Sequence, residues 1–197
     1  NDASATTTFT DAFPVSAQDI LPTGLAFNND GTKMFVVGNA GQDVNEYNCT
    51  AFDVSTCVVD AGVPFSVSTQ ENSPYGLAFN NDGTKMFVVG NAGDDVNEYN
   101  CTAFDVSTCV VDAGVPFSVS AQDTIPTGLA FNNDGTKMFV AGYNGGDVNE
   151  YACTTGFDVS SCGFTDAFSV STQETSPEGL AFNNDGTKMF VVGAAGD

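Results

Sequence analysis

The chain of 197 residues contains no histidine, no arginine and no tryptophan, and its only cationic side chains are four lysines. Without histidine, Ser/His/Asp and Cys/His nucleophile–base arrangements are impossible. Set against 25 acidic residues, the lysines leave a formal charge of −21. That charge excludes the basic face on which nucleic acids and anionic membranes are bound, so neither is expected as a partner. No apolar run is long enough to cross a bilayer as a helix. Apolar spacing at three and four residues is nowhere sustained, and the Gly, Asn, Thr and Val content opposes long helices. An all-β chain is expected.

What is present is repetition. The segment Gly-Leu-Ala-Phe-Asn-Asn-Asp-Gly-Thr-Lys-Met-Phe-Val begins at Gly24, Gly76, Gly128 and Gly179. The chain 1–197 therefore reads as a single repeat domain, with repeats at about 20–71, 72–123 and 124–174 and an incomplete one at 175–197. In the first repeat, apolar runs at 24–27 and 34–37 flank Asn28-Asn29-Asp30-Gly31-Thr32, a strong hairpin signal. A third, half-buried strand is expected at 43–47 and a fourth at 63–67. The first two strands are nearly continuous in apolar residues, as inner strands covered on both faces would be, and the later two are expected to meet solvent. Four strands in about 50 residues is the pattern of a β-propeller blade rather than of a solenoid coil.

The stretch 25–38, with Asp43-Val44-Asn45-Glu46-Tyr47 and Phe52-Asp53-Val54-Ser55 after it, resembles the repeat of bacterial extracellular propellers of the YVTN and NHL type. It is also similar to the long propeller arrays in surface and secreted proteins of aquatic bacteria. The resemblance covers essentially the whole chain and implies the fold and a scaffold or binding role. That group has no common catalytic residue to carry over. Ring propellers of this kind usually have more blades, and the cysteine pairs are an addition to the usual pattern.

The cysteines come as Cys49/Cys57, Cys101/Cys109 and Cys153/Cys162, one pair per complete repeat. Pairing within each repeat is expected, because the outer strands of neighbouring blades diverge beyond the reach of a disulfide. Zinc is the rival, but each repeat offers two thiols and no histidine where a structural site wants four ligands. Disulfides place the chain in an oxidising compartment, secreted or at the cell surface. The start at Asn1 without Met fits a removed leader or a segment of a longer sequence.

Carboxylates recur as well. Asp43, Asp95, Asp147 and Asp197 follow Gly-rich turns and are the candidates for a Ca²⁺ site. Strand alternation sends Asp43 and Glu46 to opposite faces, whereas calcium wants six or more oxygens around one point, so turn and edge roles account for them better and no cofactor is expected. Asp30, Asp82, Asp134 and Asp185 read as hairpin residues, and Lys33, Lys85, Lys137 and Lys188 as partners of nearby turn carboxylates. A paired-carboxylate enzyme would need two acids in distinct environments, and repetition supplies equivalent ones instead, so no enzymatic activity is expected.

Asn48-Cys49-Thr50 and Asn100-Cys101-Thr102 match the N-glycosylation acceptor pattern, which the third repeat loses at Ala152; the Ser/Thr-rich stretch 3–10 is a candidate for O-linked sugar. A carbohydrate-binding role would look to Tyr47, Tyr99 and Tyr151, or to the positions where repeats differ: Tyr75, Tyr143, Ala152 and Glu178.

The segment 9–19 copies 164–174, so the sequence opens on a fourth strand and stops after a second, giving fifteen strands rather than sixteen. An open sheet edge invites pairing with another chain. Three explanations are a longer propeller, a neighbour supplying strands, and head-to-tail joining. The expected function is that of a non-enzymatic structural or adhesive element, a subunit of an oligomer or filament; the alternative is a lectin-like propeller.

Overall fold

A computed structural model describes residues 8–114 and 116–195, without the side chain of Val63. The stretch up to residue 7, within the candidate O-glycosylated start, and Asp197 lie outside the described residues. The first blade comprises β1 (Pro22–Phe27), β2 (Lys33–Gly38), β3 (Asp43–Thr50) and β4 (Asp53–Ser66), paired antiparallel in sequence order. The second holds β5 (Pro74–Phe79), β6 (Lys85–Gly90), β7 (Asp95–Thr102), β8 (Asp105–Val111) and β9 (Phe117–Ser118), the last two lying along β7 as two pieces of one outer strand. The third has β10 (Pro126–Phe131), β11 (Lys137–Gly142), β12 (Asp147–Cys153) and β13 (Cys162–Ser169). Only β14 (Pro177–Phe182) and β15 (Met189–Gly193) of the fourth blade are described.

Local chemistry sets the hairpins. Asp30 accepts hydrogen bonds from the Thr32 N–H (3.0 Å) and hydroxyl (2.6 Å), which holds its carboxyl below the usual range. Gly31 sits at φ 71°, and a Cβ there would run into the Phe52 ring, so the turn needs glycine twice over. The same arrangement recurs at Gly83 with Phe104 and at Gly135 with Phe157.

Three details depart from the sequence expectations. The fourth strand of the first blade begins at Asp53, ten residues before the expected start, because a tight turn with positive φ at Ala51 and Phe52 folds it directly back along β3. The third strands are more buried than expected over their first half: Val44, Asn45, Glu46 and Tyr47 are all buried, Asn45 donating to Asp43 on its own strand and Glu46 holding Lys33 while accepting from Val106 of the next blade. The segment 9–19, despite copying a fourth strand, forms no strand, since no third strand lies beside it; its Phe13 nonetheless packs edge-on against Tyr47 at 5.5 Å.

Blades pack through aromatic trios. Phe35 of the first blade meets Phe79 (4.4 Å) and Phe104 (6.3 Å) of the second, and Phe87 repeats this with Phe131 (4.5 Å) and Phe157 (6.4 Å) of the third. The inner strands β1, β5, β10 and β14 lie side by side. Gly76 permits that approach, since a Cβ there would lie 2.7 Å from the Thr127 carbonyl of the next blade.

Candidate functional site

The buried charges lie between blades. Lys33 pairs with Glu46 on the neighbouring strand, and its ammonium also donates to the Phe104 carbonyl of the second blade at 3.1 Å. The other Glu46 oxygen accepts from the Val106 N–H at 3.1 Å. Lys85 and Glu98 repeat the device toward Phe157 (2.8 Å) and Val159 (3.0 Å). These lysines therefore pair with strand carboxylates rather than turn carboxylates, a correction that follows from strand register, which places Lys33 opposite Asn48, two residues beyond Glu46 on the adjacent strand. At the third blade the pair Lys137–Glu150 (2.7 Å) is uncovered, with side chains 49% and 30% exposed against 26% and 4% for Lys33 and Glu46.

A second set of acids fixes loops. Asp19 accepts from the N–H groups of Leu21 and Gly41, both at 2.6 Å, and Glu71 from Ser73 (2.6 Å), Ala92 (3.0 Å) and Gly93 (3.2 Å). Asp123 does the same for Ile125 and Gly145. This set was not among the residues expected from the sequence, where its signal is a recurring Gln-Asp or Gln-Glu at 18–19, 70–71, 122–123 and 173–174.

Beside these carboxylates stand the Ca²⁺ candidates. Asp43, Asp95 and Asp147 each accept from the amide of the Asn two residues on, at 2.7, 2.6 and 2.7 Å. Burial raises all three, Asp95 to about 6, with Glu71 and Asp94 adding repulsion to Asp95. Backbone N–H donors already occupy both Glu71 oxygens, a setting that suits an anion. Among the described residues no group of three or more acidic or cysteine side chains is placed to hold a metal ion. Tyr47, Tyr99 and Tyr151 are buried at these same inter-blade sites, so they are not the surface platforms a sugar site would use. Tyr151 donates to Gln122 at 3.3 Å, and desolvation with the neighbouring Asp43 and Asp19 charges pushes the Tyr47 phenol up to about 12.

Two of the positions at which the repeats differ, Tyr75 and Glu178, lie on the inner strands. Each inner hairpin has a register irregularity after its Pro, at Thr23, Tyr75, Thr127 and Glu178. These four residues line one cleft of about 250 Å³ across the inner strands. Thr23 and Thr127 spend their hydroxyls on the Pro74 and Pro177 carbonyls of the following blade, both at 2.8 Å. Of the other variable positions, Tyr143 and Ala152 lie on β11's exit and β12, away from this cleft.

The cysteines bridge as Cys49–Cys57, Cys101–Cys109 and Cys153–Cys162, each tying third to fourth strand in one blade. Asn48 and Asn100 are exposed on β3 and β7, their amides donating to Asp60 (3.1 Å) and Asp112 (3.0 Å).

No family model matches the chain, and no curated protein matches it in sequence. Solved structures do match in fold. A putative 6-phosphogluconolactonase from Bacteroides uniformis is 9% identical with a TM-score of 0.61, covering 86% of this chain and 46% of its own. A streptogramin B lyase is 11% identical at TM-score 0.57, covering 87% and 48%. The β-propeller domain of a Myceliophteria thermophila protein is 9% identical at 0.52, covering 87% and 50%. The chain spans about half the length of these structures, and its fold is that of a β-propeller. Its three disulfides fit a protein outside the cytosol.

Proposed function

We propose that the chain is a non-enzymatic, extracellular structural or adhesive propeller element that works by self-association. The observation that carries this is how firmly the blades are stapled and locked together: a disulfide ties third to fourth strand in each of the first three blades, and Glu46 and Glu98 hold a lysine of their own blade while accepting from the Val106 and Val159 N–H groups of the next. A rigid array of this kind suits a scaffold. The acids that titrate unusually hold hairpin turns or line strands, the cysteines are bridged, and the sequence has no histidine to serve as a base, which supports a role without catalysis.

The second reading is carbohydrate binding, favoured by the axial cleft, where Tyr75 offers a ring and Glu178 a carboxylate. Native material examined by negative-stain imaging and by retention on sugar resins separates the two. Assemblies formed without ligand support the structural role; discrete particles retained on a sugar resin, with retention lost in Tyr75→Ala, support the lectin.

A further inference from the structure

The two asparagines that open an Asn-Cys-Thr acceptor triplet have fixed companions on the outer part of their blades. Asn48 on β3 stands opposite Val58 on β4, and Asn100 on β7 opposite Val110 on β8. Residues directly opposite in an antiparallel pair share one face of the sheet, with Cβ atoms roughly 4.5–5.5 Å apart. Two residues along the outer strand, on the same face by strand alternation, Asp60 accepts from the Asn48 amide at 3.1 Å and Asp112 from the Asn100 amide at 3.0 Å.

The third blade lacks all three companions together. Ala152 takes the asparagine position and Gly163 stands opposite it. Thr165 lies three residues after the second cysteine, where the other blades have the aspartate. Space does not dictate the loss of the valine, since a Cβ at Gly163 would meet nothing within 4 Å.

The valines are bare. Val110 is 62% exposed, although the inner strand of its blade, β5, lies between those of the first and third blades; Val58 matches it at 61%. A single exposed valine is ordinary on a protein surface. One that occurs only beside an acceptor asparagine calls for a cover that comes with the asparagine. Asn48, Thr50, Asn100 and Thr102 are all exposed, so both triplets stand on the surface.

We infer that Asn48 and Asn100 carry N-linked glycans whose first sugar lays its C–H face over Val58 and Val110. A glycosylated amide keeps one N–H, and Asp60 or Asp112 accepts it, holding the amide so that the sugar lies along the sheet. The transfer forms a bond from the asparagine Nδ2 to the anomeric carbon of a lipid-linked sugar pyrophosphate. The bond from that carbon to the pyrophosphate oxygen breaks, the lipid pyrophosphate leaves with the electron pair, and the amide gives up one proton. The donor and its transferase belong to the producing cell and act outside the cytosol, where the disulfides also place the chain.

The test is peptide mass spectrometry of the native protein with fragmentation that leaves sugars attached. The expected result is a sugar mass on Asn48 and on Asn100 and none on the peptide that carries Ala152. Unmodified Asn48 and Asn100 overturn the inference. The cover is read by the fluorescence of a hydrophobic dye before and after enzymatic removal of the glycans, on the unaltered chain and on a Val58→Ser, Val110→Ser double variant from the same host. Dye fluorescence is expected to rise on removal in the unaltered chain and to lose that rise in the double variant. No rise in the unaltered chain, or an equal rise in both proteins, overturns the packing of sugar on valine even where both asparagines are modified.

Discussion

Glu46 of the first blade accepts a hydrogen bond from the Val106 backbone N–H of the second at 3.1 Å, linking positions sixty residues apart while its other oxygen holds Lys33. One carboxylate thus closes an ion pair within a blade and fixes the chain of the next. Position along the array decides how much such a pair matters.

Glu98→Ala leaves Lys85 and the Val159 N–H partly buried without their partner, and a loss of about 3–5 kcal/mol is expected. Glu150→Ala, at the uncovered pair, costs under ~1 kcal/mol. Denaturant midpoints at constant slope measure both, and equal losses would refute the distinction.

Reduction of the three bridges opens loops closed over sequence separations of 8, 8 and 9. Each bridge restricts the unfolded chain by about 2–3 kcal/mol on the entropic model. A clear fall in Tm with reductant is expected. An unchanged Tm would show that the staples do not stabilise the blades.

Asp95 gives a pH signature. Its folded pKa of about 6 lies above the ordinary carboxylate value, so between about pH 4 and 6 the folded state binds more protons than the unfolded. The stability from this proton is therefore full below about pH 4 and lost as pH rises through about 6. Asp95→Asn is expected to be more stable than the parent at pH 7, by about 1–3 kcal/mol, and to close that gap near pH 4. Asp30, Asp82, Asp134 and Asp185 act oppositely, since their lowered values remove stability as pH falls below the ordinary carboxylate range. The difference between variant and parent isolates Asp95; a gap that does not vary with pH would contradict the assignment.

Gly76→Ala places a methyl against the Thr127 carbonyl and the Val89 side chain, each 2.7 Å from the new Cβ. Because the carbonyl is backbone, the inner strands must part, at an expected cost of about 1–3 kcal/mol. Gly114→Ala, with nothing within 4 Å, serves as the control and should leave the thermal midpoint nearly unchanged.

The blade order, the hairpin turns and the cysteine pairs were legible because each depends on residues close in sequence: Asp30 with Thr32, Cys49 with Cys57, Gly31 with the turn it closes. The roles of Glu46 and Asp19 were not, since Glu46 meets Val106 and Asp19 meets Gly41 across loops whose path the local pattern does not encode. The same reason explains the third strands. Glu46 looks like a solvent-facing residue in isolation, and only the Val106 N–H of the neighbouring blade, together with Lys33, makes its burial favourable. The axial cleft was half legible: Tyr75 and Glu178 stood out as departures from the repeat, but not as neighbours.

The central claim, that this array is a structural unit that works by self-association, is tested most directly by the mass of the native protein in solution without ligand across a wide concentration range. A mass that climbs with concentration through multiples of 20.4 kDa is the predicted result; a constant 20.4 kDa at all concentrations would contradict it.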